Sequence, residues 1–284
     1  MSERVTIMSE GLKLAGVLYT PKDYKAGEKR PAFLVLHGFG GNKEGEQGVW
    51  ARKTLVEWGY VCLQIDFRVN DAALAKMLPA GWEAMIATAG PAKDCNLRMI
   101  FIDRMGIIGR DGKPAARPTG RLVYLAIPVK KTGTDVVGQI IIHGLVDQAA
   151  DAPGEFGVYQ FANTAKMSRT SSASGAAMTG SENWEFAAAS GERIEVQIEY
   201  ERGPLVKGNP EVKFFYPNDT AKYLTFKVDQ AIDIMRNATT NPPDHVKKFS
   251  YKAGGGKIAA LFDGSEKIVS WDSFPWYVRS VIAP

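Results

Sequence analysis

Few residues in this sequence have the type and neighbours that chemistry needs. Lys166 is an amine with a guanidinium, Arg169, three positions on, and a nearby cation together with desolvation is what readies an amine to attack a carbonyl. The simpler reading is a solvated pair beside a loop. Glu155, in Gly154-Glu155-Phe156-Gly157, could orient a substrate carbonyl or be an ordinary surface carboxylate. His143 ends an apolar run and stands four positions before Asp147, so it could work as an acid/base, against the plainer case of a histidine satisfied at a strand end. Lys130 and Lys131 open a Lys-Lys-Thr-Gly turn in which both ammonium groups can stay in water, and His245 follows Asn241-Pro242-Pro243-Asp244 as an exposed loop residue. Near the N-terminus, Gly38, Phe39 and Gly40 belong to a glycine-rich loop, His37–Lys43, where the Phe39 N–H could face a developing oxyanion.

Composition narrows what such groups can serve. With 284 residues, 45% hydrophobic and 23% charged, the chain can bury one large core or two ordinary ones. Its net charge of +4, from 35 basic and 31 acidic residues, is spread along the chain without the clustering that tracks a phosphate backbone, so nucleic acid is not an expected partner. The 2 cysteines and 3 histidines have no metal-ligand spacing, and no metal or other cofactor is expected. No run approaches the ~18 apolar residues of a membrane span and the first residues have no apolar leader, so the expected location is the cytoplasm, without a membrane partner.

The elements that must position these groups change character along the chain. Val5–Met8 and Leu12–Tyr19 read as strands of a hairpin across Ser9-Glu10-Gly11. Ala32–Leu36 and Tyr60–Phe67 are continuous apolar runs, the pattern of strands buried on both faces, and a helix-length segment with Val49, Trp50, Leu55, Val56 and Trp58 lies between them, giving a βαβ unit. Asn70 can cap a short helix from Asp71 to Leu78. Beyond it the period changes to two, most cleanly over Arg193–Glu201, where Ile194, Val196, Ile198 and Tyr200 alternate with polar residues. Further strands are expected at Met85–Ala87, Leu97–Asp103, Arg121–Val129, Val136–His143, Trp184–Ala188, Lys213–Tyr216, Tyr223–Val228, Lys248–Lys252, Ile258–Phe262 and Tyr277–Ile282. Asp229–Asn237 reads as a helix through Ala231, Ile232 and Met235, and Thr170–Gly180, rich in Ser, Ala and Gly, as a loop.

Two resemblances follow from these runs. The strand ending in His37-Gly38-Phe39-Gly40-Gly41-Asn42-Lys43, the helix, and then Tyr60–Arg68 resemble the oxyanion loop and next strand of the α/β-hydrolase family. That family needs a nucleophile on a Gly-x-Ser-x-Gly elbow, yet no serine here has glycine two positions before it, and the resemblance ends at Arg68. Residues 69–284 resemble the acetoacetate decarboxylase-like superfamily through Asp71-Ala72-Ala73-Leu74, Leu78-Pro79-Ala80-Gly81-Trp82, Leu125-Ala126-Ile127-Pro128-Val129, Gly154-Glu155-Phe156-Gly157 and Pro275-Trp276-Tyr277-Val278-Arg279. The resemblance implies a curved, mostly antiparallel β domain with an interior pocket for a carbonyl or keto acid. It also implies a Schiff-base lysine soon after the glycine-glutamate segment. This chain has Val158-Tyr159-Gln160-Phe161 there, and its next lysine is Lys166.

The expectation is therefore an α+β chain with a partial hydrolase-like segment, 1–68, and an acetoacetate decarboxylase-like β domain, 69–284. The expected ligand is a small carbonyl or carboxylate compound, with Lys166, Glu155 and His143 as candidate catalytic groups and self-association into a homo-oligomer left open. The rivals are a hydrolase using Gly38, Phe39 and Gly40 without a triad, and a fusion product with no activity of its own.

Overall fold

A computed structural model describes residues 2–9, 12–19, 60–89, 92–109, 111–175, 177–236 and 245–284. By its internal contacts the chain divides into two compact units, Met1–Trp58 and Gly59–Pro284. In the first, β1 (Ser2–Ser9) and β2 (Leu12–Tyr19) pair antiparallel from Ser2↔Tyr19 to Ser9↔Leu12, the hairpin that the sequence predicts. Ala32–His37 and the loop holding Gly38, Phe39 and Gly40 lie outside the described residues.

The second unit is built on a mixed sheet that closes on itself. Its ring runs β7 (Val137–Val146), β12 (Glu211–Tyr216), β13 (Asp219–Arg236), β15 (Lys267–Ile282), β3 (Tyr60–Arg68), β5 (Leu97–Arg104) and β6 (Gly120–Lys131), and the β6–β7 pairing completes it. Strand β7 serves two sheets. Its Gln139 and Ile140 pair parallel with Phe214 and Phe215 of β12, while Gly144–Val146 pair parallel with Tyr159–Phe161, the start of β8 (Tyr159–Ser174). From β8 an antiparallel sheet continues through β9 (Ala177–Ala188) and β10 (Arg193–Glu201) to β14 (Val246–Gly254). Short strands β4 (Trp82–Ala84) and β11 (Val206–Gly208) pair with β6 and β13.

Apolar side chains collect on both faces of the ring wall. Met99, Phe101, Val123 and Leu125 join one core with Trp184, Phe186 and Ile194 of the four-stranded sheet, whereas Ile100, Ile102, Leu122 and Tyr124 join Phe156, Phe214 and Phe226 in another. A wall buried on both sides needs an unbroken apolar run, since alternate residues serve alternate cores. The four-stranded sheet has one wet face, and β10 accordingly alternates, with Ile194, Val196, Ile198 and Tyr200 buried.

These observations correct the expected fold class: the described chain is mostly β, and no βαβ hydrolase segment is present in it. Both edges of β3 are occupied by antiparallel partners, β5 over Tyr60–Phe67 and β15 over Cys62–Arg68, which leaves no place for a parallel neighbour. The apolar run over Tyr60–Phe67 that suits a parallel strand equally suits the wall of a closed ring. The expected helix Asp229–Asn237 is also replaced, by strand as far as Arg236. Irregularities between Ala231 and Asp233 and between Ile234 and Arg236 offset the period of two there, sending Ile232 and Met235 to different cores and imitating helical spacing. Thr170–Gly180 is the tip of the β8–β9 hairpin, its backbone paired as far as Ser174↔Ala177. The capped helix is observed as α1 (Asp71–Ala75), with Asn70 Oδ1 accepting from the Ala72 N–H at 2.9 Å and the Ala73 N–H at 3.1 Å.

Candidate functional site

The sequence-derived candidates stand apart, each with its own partner. Lys166, on the wet face of β8, pairs with Glu185 of β9 at 3.5 Å. Arg169 does not assist it: three residues along an extended strand place the two side chains on opposite faces. Glu155 is exposed and accepts a hydrogen bond from the Tyr216 hydroxyl at 2.9 Å. Phe161, where the family's lysine is expected, is an exposed residue of β8.

His143 is buried on β7, and its Nε2, 4.0 Å from Glu192 Oε1, has no hydrogen-bond partner among the described residues. Burial lowers its pKa, against the pull of Glu192. Burial alone would raise the Glu192 carboxyl, but the Ser190 hydroxyl and the Lys257 backbone N–H, the latter at 3.0 Å, hold it below the usual carboxylate range. Gly256, at φ +47°, makes this cradle feasible, because a Cβ there would lie 2.3 Å from the Glu192 carboxyl. Asp147, the acid that the sequence pairs with His143, instead bonds through its backbone N–H to the Arg121 carbonyl.

A denser cluster lies on the buried face of the four-stranded sheet, where it meets β13 and β15. Glu182 of β9 is fully buried. Its Oε2 faces Arg169 Nη2 at 2.9 Å and accepts from the Trp184 indole N–H at 3.0 Å. Its Oε1 accepts from the Tyr200 hydroxyl at 3.3 Å and, at 3.5 Å, from the Ser273 hydroxyl of β15. Arg202 Nη2 donates to the Tyr200 oxygen at 3.1 Å, and its Nη1 lies 3.6 Å from Asp233 Oδ2 on β13. The Gly203 N–H donates to Asp233 Oδ1 at 3.2 Å. Burial first, then Glu182, pushes the Tyr200 phenol up, and burial raises the Asp233 carboxyl against Gly203, Arg202 and His245. Arg169 Nη2 and Arg202 Nη1 are buried with ion-pair neighbours but, among the described residues, no hydrogen bond of adequate geometry.

The strand pattern builds this cluster. On each strand the inward row is apolar until its last members: Ala165 and Met167 lead to Arg169, Phe186 and Trp184 to Glu182, and Val196 and Ile198 to Tyr200 and Arg202. A charged residue continuing an apolar row was the available signal, and motif-centred reading passes over it. Among the described residues no lysine is buried; Lys130 alone is half-buried, and it pairs with Asp135 at 3.6 Å. No set of three or more metal-ligating side chains occurs among the described residues, and no helix there is long and apolar enough to cross a membrane.

No family model and no curated protein matches this chain. Among solved structures it is similar to the enduracididine biosynthesis enzyme MppR complexed with pyruvate, at 14% identity and TM-score 0.49 over 80% of this chain and 88% of that one. It is also similar to an acetoacetate decarboxylase-like enzyme from Sphingomonas wittichii RW1, at 13% identity and TM-score 0.42 over 80% of this chain and 91% of that one. The acetoacetate decarboxylase of Legionella pneumophila gives 13% identity and TM-score 0.41 over 80% and 88% of the two chains. Nothing in these comparisons supports a hydrolase segment in residues 1–68. The likeness to acetoacetate decarboxylase-like enzymes is structural and distant, and the chemistry has to be read from this chain's own residues.

Proposed function

We propose that this chain binds a small carbonyl or carboxylate compound at the Arg169, Glu182, Tyr200, Arg202 and Asp233 cluster, without forming an imine. The observation that carries the reading is the choice of buried charge: two arginines, a glutamate, an aspartate and a tyrosine share one interior site, and among the described residues no lysine is buried with them. An imine needs an amine freed of its proton near neutrality, which burial or a neighbouring cation provides. Lys166 has a carboxylate neighbour in solvent instead. Guanidinium groups suit the planar carboxylate of a keto acid, and the N–H groups of Arg169 and Arg202 that lack hydrogen bonds would complete their shells on it. The Tyr200 hydroxyl donates to Glu182 and accepts from Arg202, so it would donate to a ligand's carbonyl oxygen only by turning its one proton away from Glu182.

Titration calorimetry with pyruvate and acetoacetate, together with intact mass after borohydride, tests both halves of the reading. Saturable binding weakened about tenfold by Arg202→Gln, roughly 1.4 kcal/mol, with no mass increase, is the expected result. A reduced adduct on Lys166, lost in Lys166→Ala, would overturn the non-imine reading.

A further inference from the structure

On the other face of the same four strands lies a groove of about 880 Å³. Its lining comes in rows fixed by strand register. One row is Ser168, Asn183, Gln197 and Ser250, and the next is Lys166, Glu185, Glu195 and Lys252, each taking one residue from β8, β9, β10 and β14. At about 4.8 Å between strands, each row is about 14 Å long. Arg121 and Arg193 also line the groove; Arg121 pairs with Asp103 at 2.9 Å, Arg193 with Glu195 and Lys166 with Glu185, so among the described residues Lys252 is the lining cation without a carboxylate partner.

From this pattern we propose that the groove is a second binding site, for an acidic oligosaccharide: a chain of hydroxylated rings carrying carboxylate groups. A row of hydroxyl and amide side chains offers donors and acceptors at regular intervals, which matches a ligand presenting hydroxyls at intervals along its length. The unpaired Lys252 ammonium favours an acidic ligand over a neutral one. Glu185 and Glu195, in the middle of their row, oppose a bare polyanion and accept from sugar hydroxyls. The groups needed are free to act: among the described residues Gln197, Ser250 and Lys252 have no side-chain hydrogen bond or ion pair, and Asn183 uses only its Nδ2, on Ser168 Oγ at 3.2 Å. Nucleic acid fits poorly, because the aromatic neighbours Trp184 and Tyr251 lie in alternate register on the apolar side and leave no ring for a base to stack on.

The experiment is calorimetry of the full chain at physiological salt with an oligogalacturonate, a neutral malto-oligosaccharide of the same length and inorganic polyphosphate. Binding of the oligogalacturonate alone, weakened at least tenfold in Gln197→Ala/Lys252→Gln and unchanged in Arg202→Gln, is expected; the last variant separates this site from the interior one. The substituted side chains are exposed, and an unchanged melting temperature verifies the fold. Equal binding of polyphosphate, equal binding of the neutral oligosaccharide, no saturable binding, or indifference to the double variant would each overturn the proposal.

Discussion

Strands β8 and β9 carry two ion pairs that are three residues apart along each strand and on opposite faces of the sheet. Lys166–Glu185 spans 3.5 Å with its side chains 74% and 37% exposed, whereas Arg169–Glu182 spans 2.9 Å at 20% and 0%. The charges and the cross-strand geometry are alike, and burial separates their consequences. In water the outer pair is screened and adds little. On the inner face each partner is what keeps the other from being an isolated charge in the core, and the tyrosine, indole and serine donors around Glu182 deepen that dependence.

Removing one inner partner is the most direct way to break the comparison. Glu182→Ala should destabilise the fold by about 3–5 kcal/mol in urea titration, because it strands Arg169 and leaves the Tyr200 hydroxyl and Trp184 N–H without their acceptor. The double variant Glu182→Leu/Arg169→Met should recover the part of that loss that comes from the stranded guanidinium, while the Tyr200 hydroxyl and Trp184 N–H remain without their acceptor. A loss below 1 kcal/mol in the single variant would mean that the inner face is wetter than its burial indicates.

A smaller effect should follow from pH. Glu192 sits on the inward row of β10's leading turn, facing His143 and the Lys257 backbone, so acidification tests that end of the same face. The His143 pKa is lowered in the folded state, so the unfolded chain binds the proton first as pH falls below 6.5. Stability is therefore fully present above that value and declines as pH drops toward the folded pKa; His143→Gln should flatten the decline between pH 7.5 and 5.5 in thermal melts. An identical slope in the variant would remove His143 as its cause.

Next in size, Asn70→Ala should cost about 1 kcal/mol through loss of the α1 cap, a local effect independent of either face. Smallest is Lys166→Ala on the outer face, about 0–0.5 kcal/mol by denaturation, with salt suppressing even that. A value near that of Glu182→Ala would erase the distinction between the faces.

Particular residues show what the sequence discloses and where it stops. β10 was legible because one wet and one dry face impose a strict period of two on Arg193–Glu201. Asn70 announced its helix because capping is local chemistry. β13 was misread over Asp229–Arg236 because its irregularities make a strand's apolar positions fall at helical intervals. β3 was misread because an apolar run records burial on two faces and not the direction of its neighbours. The cluster around Glu182 stayed hidden for another reason: its members come from five strands, and register, which no local pattern encodes, brings them together. The sequence nominated Lys166, Glu155 and His143 by residue type, and the structure distributes those three among separate neighbourhoods.

The pairing of β3 with β15 reaches beyond the finished fold. A ribosome releases β3 early and β15 last among the ring strands, so until then the Cys62–Arg68 edge has its backbone donors and acceptors open to any strand that approaches. Contacts so remote along the chain also slow folding. The nascent chain thus carries an unsealed edge until β15 emerges, and that edge is where two copies would pair if they met before the ring closed.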